Sequence, residues 1–248
     1  MRLSLSVVSH GQAGLVALLL DDLAATVDPR DMEVILTVNV PEPLDLSGRP
    51  YPFAFRVVRN VRRRGFGANH NAAFALARGR FFAVVNPDIR LHGDPFPALC
   101  HAAAEPSVGA AAPLVLSPSG AVEDSARRFP TPASLMRKLL LGSHGPDYPI
   151  AGPRVAPDWV AGMFMVFSRD AYAAVSGFDE RYFLYYEDVD LCWRLRRAGY
   201  NVVMLPSVRV VHDARRDSHR RLGHLRHHLA GMTRFFGRRL FSPRRGGI

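Results

Sequence analysis

The chain is poor in cysteine and almost devoid of lysine. Its two cysteines, Cys100 and Cys192, lie far apart without metal-like spacing. That excludes a disulfide framework and a cysteine-built metal cluster, and both are expected to be free thiols in a reducing compartment. Lys138 is the only lysine, so positive charge is carried by arginine. No apolar run approaches the ~20 residues that span a bilayer. Arg2 precedes apolar residues as in an export leader, but Leu3 to Val7 alternates like a strand and Ser9 to Gln12 interrupts it. A cytoplasmic location, with possible placement at the inner face of the membrane, is therefore expected. There is no internal repeat, no low-complexity segment, no Walker loop and no dinucleotide fingerprint.

With 48% hydrophobic residues, a chain of 248 residues can bury a sizeable core, as one large domain with or without an appendage. The formal charge is +10, and ten Arg against two Asp fall from Asp213 onward, which leaves only +2 for the preceding 212 residues. The division expected is a domain over 1–212 and a basic helical extension over 213–248. A basic tail suits an anionic surface. Nothing aromatic interleaves with its arginines until Phe235, so peripheral contact with an anionic membrane is favoured and no nucleic acid is expected.

Strands are expected over Leu3–Val8, Glu33–Val38, Phe53–Val58 and Phe81–Val85, alternating with helices over Ala13–Val27 and Ala68–Ala77. Glu33 to Val38 is nearly all apolar and β-branched, as in a strand covered on both faces of a parallel sheet. Further on come a helix from Asp94-Pro95 to Ala104, a strand over Val108–Leu116 and an irregular, proline-containing stretch from Ala121 to Pro157. The last is a candidate substrate-facing flap. A strand over Trp159–Phe167, a short helix over Arg169–Val175, a strand over Asn201–Leu205 and an extended Val208–His212 follow. From Asp217 to Phe241, Leu222, Leu225, Leu229, Met232 and Phe236 recur at helical spacing among Arg and His, the pattern of a basic amphipathic helix. Alternating elements of this kind predict an α/β fold whose ligands sit beyond the carboxyl ends of the strands.

The run from Gly177 to Tyr200 concentrates the chemistry. Tyr182, Phe183, Tyr185 and Tyr186 lead into a helix over about Glu187–Ala198 that opens on Glu187, Asp188 and Asp190 and closes on Arg194, Arg196 and Arg197 before Gly199. Helix-dipole chemistry alone accounts for charges so placed. A carboxylate beside aromatic rings can equally hold a raised pKa and act as a base. Asp88 closes a turn after a strand, and His212 closes another extended piece. Taken singly, these read as a turn residue and a surface histidine as readily as ligands.

Taken in order, the stretches Gly65-Phe66-Gly67-Ala68-Asn69-His70-Asn71, Phe82-Ala83-Val84-Val85-Asn86-Pro87-Asp88 and Gly177-Phe178-Asp179-Glu180 through Glu187-Asp188-Val189-Asp190-Leu191 resemble glycosyltransferase family 2, closest to its bacterial rhamnosyltransferase-like members. The resemblance covers about residues 3 to 240. It implies a GT-A fold, a Rossmann-like mixed sheet flanked by helices. It also implies a nucleotide-diphosphate sugar donor, a glycan or lipid-linked acceptor, Mg²⁺ or Mn²⁺, and inversion at the anomeric carbon, in cell-surface glycan synthesis. By position, Asp88 and His212 would hold the metal, with Asn86 where the family's first acid stands. Asp188 would be the base and Glu187 its reserve, because neighbouring helical positions point about 100° apart, and Glu187 and Asp190 would keep the role of capping the helix. Ser9, Asn39, Arg64, Gly65, Phe66, Gly67, Asn71, Asn86 and Asp88 would meet the nucleotide sugar, and Trp159, Gly162, Tyr185 and Tyr186 the acceptor. Ser9-His10-Gly11 and Asn39-Val40 depart from the family pattern where it borders the nucleotide. Two rival readings are a sugar-phosphate nucleotidyltransferase, which wants an N-terminal glycine-rich loop absent here, and a non-catalytic polyanion-binding protein working through the tail.

Overall fold

A computed structural model describes residues 2–44, 50–142, 146–213 and 222–241. Its centre is an eight-stranded mixed sheet in the order β3-β2-β1-β4-β9-β6-β10-β5. The strands are β1 (Leu3–Ser9), β2 (Met32–Val38), β3 (Ala54–Arg59), β4 (Phe81–Val85), β5 (Ile89–Arg90), β6 (Val108–Leu116), β9 (Phe164–Ser168) and β10 (Asn201–His212). A separate ribbon pairs β7 (Ala126–Arg127) with β8 (Trp159–Val160). The helices are α1 (Ala13–Thr26), α2 (Phe66–Leu76), α3 (Phe96–Ala103), α4 (Pro132–Leu141), α5 (Arg169–Ala174), α6 (Glu187–Arg197) and α7 (Leu222–Phe241).

β1, β2, β3 and β4 run parallel, so the chain leaves all four at the same end of the sheet. β9 runs antiparallel to β4, and Phe164 lies opposite Val85. The residues that enter β9 therefore meet those that leave β4, and Asn86 donates its amide hydrogen to the Met163 carbonyl at 2.9 Å. β10 brings His212 to the same region by pairing with Ile89.

Both faces of the sheet are packed. Val16, Leu19, Leu20 and Leu23 of α1 and Leu99 of α3 cover one side, while Tyr172, Phe178, Leu191 and Leu195 cover the other with Phe82 and Phe167. β2 is buried at every position, as its apolar run requires, although it carries Glu33. That acid is tolerated because Ser4 Oγ donates to it at 2.6 Å and the Arg78 amide at 2.7 Å. A third cluster of Tyr182, Tyr186, Val189 and Phe235 seats α7 on α6.

Four expectations need correction. Trp159 to Phe167 is two strands, β8 and β9, broken at Ala161-Gly162-Met163. Apolar composition hid the break, because Ala161 and Met163 are as hydrophobic as a strand. Asn201 to His212 is one strand with a register shift between Leu205 and Arg209, so Pro206 sits in a bulge where a missing amide hydrogen costs no ladder bond. The stretch after Ala121 contains β7 and α4. α2 begins at Phe66, two residues earlier than its alanine run suggests. The C-terminal helix runs Leu222–Phe241, and the part expected over 217–221 lies outside the described residues.

Candidate active site

The two acids that open α6 sit at its positive end, and Glu187 is buried. Tyr186, the residue before them, has φ 70°, and Tyr185 also has φ 70°. Two consecutive left-handed non-glycine residues cost of the order of 1–3 kcal/mol each and need support from their surroundings. α7 supplies it. The Tyr185 hydroxyl pairs with His224 Nδ1 at 2.9 Å, the Tyr186 ring packs against Phe235 with centroids 5.9 Å apart, and Gly231 leaves room for the Tyr185 carbonyl.

Asp188 Oδ2 accepts a 3.0 Å hydrogen bond from the Gly162 amide, and Oδ1 accepts one of 2.8 Å from the Val189 amide. The turn between β8 and β9 thus fixes the carboxylate. Glu187 Oε2 is buried with no hydrogen-bond partner among the described residues. Burial raises the pKa of both acids, and the Asp188 charge raises Glu187 further. Burial also raises Asp188, but amide hydrogens of Gly162, Val189 and Asp188 itself favour its ionised form. The negative charge of the pair is therefore favoured on Asp188, and Glu187 is the acid pushed further toward its protonated form. This differs from the capping role expected of Glu187. Asp190 is no cap either: it is fully buried, takes Arg194 Nε at 2.7 Å and Arg238 Nη1 at 2.8 Å, and so ties α7 to α6.

At the end of β4, Asp88 Oδ2 lies 3.3 Å from His212 Nε2, while His212 Nδ1 meets Glu123 Oε2 at 2.7 Å. Burial works against the imidazolium, yet the bonds and charges of Asp88 and Glu123 outweigh it and hold the His212 pKa at about 9. The same negative field favours a cation. Asp88 Oδ1 is buried without a partner among the described residues, an unsatisfied acceptor of the kind a metal ion completes. Among the described residues no three acidic, His or Cys side chains converge on one ion. The donor set is therefore one carboxylate and one imidazole whose other nitrogen is oriented by Glu123. It fits a divalent cation that takes its remaining ligands from substrate phosphate and water. Glu123 was not foreseen, since nothing in its local sequence marks it.

Several other expected residues have their polar groups occupied. Asn39 donates to the Arg64 carbonyl at 2.9 Å and His10 Nδ1 at 3.3 Å, and accepts from the Arg64 amide at 2.8 Å and Asn60 at 2.9 Å. Asn71 donates to the Phe178 carbonyl at 2.9 Å and Glu180 at 3.1 Å, and accepts from the Tyr172 hydroxyl at 2.8 Å and the Phe178 amide at 3.0 Å. Each amide is saturated and acts as a clamp between loops, leaving no hydrogen-bonding capacity for a nucleotide sugar. The glycines do similar work: a Cβ on Gly65 would come 2.8 Å from the Phe183 carbonyl oxygen, and one on Gly67 2.5 Å from Phe178 Cβ. They let the loop before α2 and the first turns of that helix pack on the 177–186 segment. Arg64 faces Glu180 at 3.5 Å, Phe66 stacks edge-on with His70 at 4.4 Å, and buried Ser9 accepts from the Gln12 amide at 3.3 Å.

Asp188 and Glu187 open onto a cavity of about 460 Å³ that Trp159, Tyr185 and Tyr186 also line. Arg127, Arg128 and Arg137 share its walls, whereas Asp88, His212 and Gly162 do not. A candidate base, an aromatic surface and arginines thus face one space, with a candidate cation site outside it. Such a site can remove a proton from a bound hydroxyl.

A family model described as Glycosyltransferase like family 2 matches residues 21–227. N-acetylglucosaminyl-diphospho-decaprenol L-rhamnosyltransferase of Mycobacterium tuberculosis (strain ATCC 25618 / H37Rv) is 39% identical over 142 residues, 52% of this chain. The match spans 45% of that relative, less than half its length. Rhamnosyltransferase WbbL of Escherichia coli (strain K12) is 29% identical over 252 residues, covering 96% of this chain and 94% of the relative. Among solved structures, the mannosyltransferase PcManGT from Pyrobaculum calidifontis in complex with GDP-Man and Mn2+ superposes with a TM-score of 0.65 at 20% identity, over 94% of this chain and 64% of that one. Staphylococcus aureus TarS 1-349 in complex with UDP-GlcNAc gives 0.62 at 14% identity, over 88% and 60%. These two show a shared fold.

Proposed function

The chain belongs to glycosyltransferase like family 2, and from that premise we propose that it transfers a sugar, with inversion, from a nucleotide-diphosphate donor to a hydroxyl of a glycan or lipid-linked acceptor. The observation that carries this is Asp188, whose carboxyl is fixed by the Gly162 amide at 3.0 Å on the wall of an aromatic-lined cavity. One base suffices for the reaction. The acceptor hydroxyl gives its proton to Asp188 Oδ2 or Oδ1 as its oxygen attacks the anomeric carbon, and the nucleoside diphosphate leaves without needing a proton. Beside it, burial and the Asp188 charge raise the pKa of Glu187 further, which favours the charge of the pair on Asp188.

Asp88 and His212 would hold Mg²⁺ or Mn²⁺, which when bound supplies positive charge to the leaving diphosphate. Glu123 orients His212, and the Asn39 and Asn71 clamps hold the loops that border the donor. Relatives named rhamnosyltransferase favour a rhamnosyl donor, and the mycobacterial relative's printed name favours a lipid-diphosphate acceptor. No described helix is long and apolar enough to cross a membrane. Exposed Leu225, Leu229, Leu240 and Phe241 on α7, beside Arg226, Arg234 and Arg239, suit peripheral contact with an anionic bilayer.

Asp88→Asn and Asp188→Asn are each expected to abolish sugar transfer while circular dichroism and thermal melting show an intact fold. Full activity in either variant would remove the roles assigned. A thermal-shift screen of nucleoside diphosphates with Mn²⁺ identifies the nucleotide, because a ligand that binds only the folded chain stabilises it.

A further inference from the structure

We propose that Arg127, Arg128 and Arg137 form the seat of a diphosphate that joins the acceptor sugar to its carrier. This rests on the transferase reading and assigns residues to the acceptor's charged portion. All three line the cavity onto which Asp188 opens. A neutral sugar there is served by the rings of Trp159, Tyr185 and Tyr186 and needs no such concentration of guanidinium. The donor's diphosphate does not account for it, since Asp88 and His212 lie outside the cavity.

The arginines are partly pre-organised. Arg127 stacks on Trp159 at 5.7 Å from the ring centroid and pairs with Asp124 at 2.9 Å, and Arg128 lies 5.1 Å from the Tyr148 centroid. Arg137, on α4, is exposed and has no ion-pair partner among the described residues. Apart from the catalytic pair, Asp147 is the one acid on the wall among the described residues, and it accepts a 3.0 Å hydrogen bond from the Arg128 amide. Guanidinium groups held in plane by aromatic rings suit the forked oxygens of phosphate. Beside Arg137 the same helix exposes Met136 at 57% and Leu140 at 73%. An apolar surface next to the cations is what a prenyl chain on the far side of the diphosphate would meet.

The test uses the full chain with Arg128 and Arg137 changed together, Arg128→Gln and Arg137→Gln, leaving Arg127 because its charge also acts on Asp188. In EDTA, calorimetry with farnesyl diphosphate should show binding that farnesol lacks and that the double variant weakens about tenfold. In transfer assays, an N-acetylglucosamine on a prenyl diphosphate should be preferred to its octyl glycoside, and the variant should reduce that preference about tenfold through KM. Equal use of both acceptors by the parent chain overturns the proposal. So does a preference for a uronate-bearing acceptor, or a preference for diphosphate that survives in a folded double variant. Arginine-dependent binding with no transfer from any nucleotide sugar would sink the transferase reading and leave the diphosphate site standing.

Discussion

At the level of single residues, the site turns on how two adjacent carboxyls divide one charge. Asp188 has three amide hydrogens to stabilise its anion, while Glu187 has only its own amide set against burial and a charged neighbour. Asp188 still ionises above its ordinary value of 3.8. Activity should therefore fall as pH drops through that raised value, giving kcat/KM an acid limb above the usual aspartate range. Glu187→Gln imitates the protonated acid and should keep both the limb and most of the activity. Loss of transfer in Glu187→Gln with retention in Asp188→Asn would reverse the assignment. Stability gives a second reading. A carboxyl whose folded pKa stands above 4.5 supports the fold at low pH, and that support is lost as pH rises through the folded value. Melting temperatures of the parent chain should accordingly decline with rising pH relative to Glu187→Gln.

At the level of elements, α7 supports two strained tyrosines and closes one side of the site. It is fixed by Phe235, by Arg238 bridging Asp179 at 2.9 Å and Asp190 at 2.8 Å, and by Gly231. A Cβ at Gly231 would come 2.6 Å from the Tyr185 carbonyl oxygen. Gly231→Ala should therefore lift α7 from the 182–186 segment, lowering the melting temperature and reducing transfer by about tenfold or more, on the ~1.4 kcal/mol per tenfold scale. An unchanged rate would show that the tyrosine geometry does not depend on this contact. Gly231 carries no local signal as a contact point, because helical periodicity marks only the apolar face. The same limit explains what was legible at this scale. The elements over β1 to β4 announced themselves by apolar runs between turn residues, and α6 by its charge asymmetry. The break at Gly162, the bulge around Pro206 and the ribbon of β7 with β8 depend on partners distant in the chain, and local pattern cannot report those. The candidate acids Glu187 and Asp188 stood out because carboxylates beside aromatic runs are unusual. Glu123 did not, since an isolated Glu in a polar stretch looks like a solvated side chain.

For the whole molecule, charge and exposed apolar surface fall together. The chain carries +10, and α7 exposes Leu225 at 57%, Leu240 at 79% and Phe241 at 89% beside its arginines. Vesicles with anionic lipid should sediment the chain at low salt and release it as ionic strength rises, and Leu225→Glu with Phe241→Glu should weaken that association. Absence of association, or binding indifferent to both lipid charge and these substitutions, would overturn membrane contact through α7. The 60–71 segment, a loop running into the start of α2, interlocks with the 177–186 segment, with Gly65 under Phe183, Gly67 under Phe178 and three of the four bonding positions of the Asn71 amide spent across the seam, the fourth on Tyr172. A chimera that grafts a relative's first loop alone would pair mismatched halves. Exchange of donor preference between relatives should succeed only when both segments travel as one cassette.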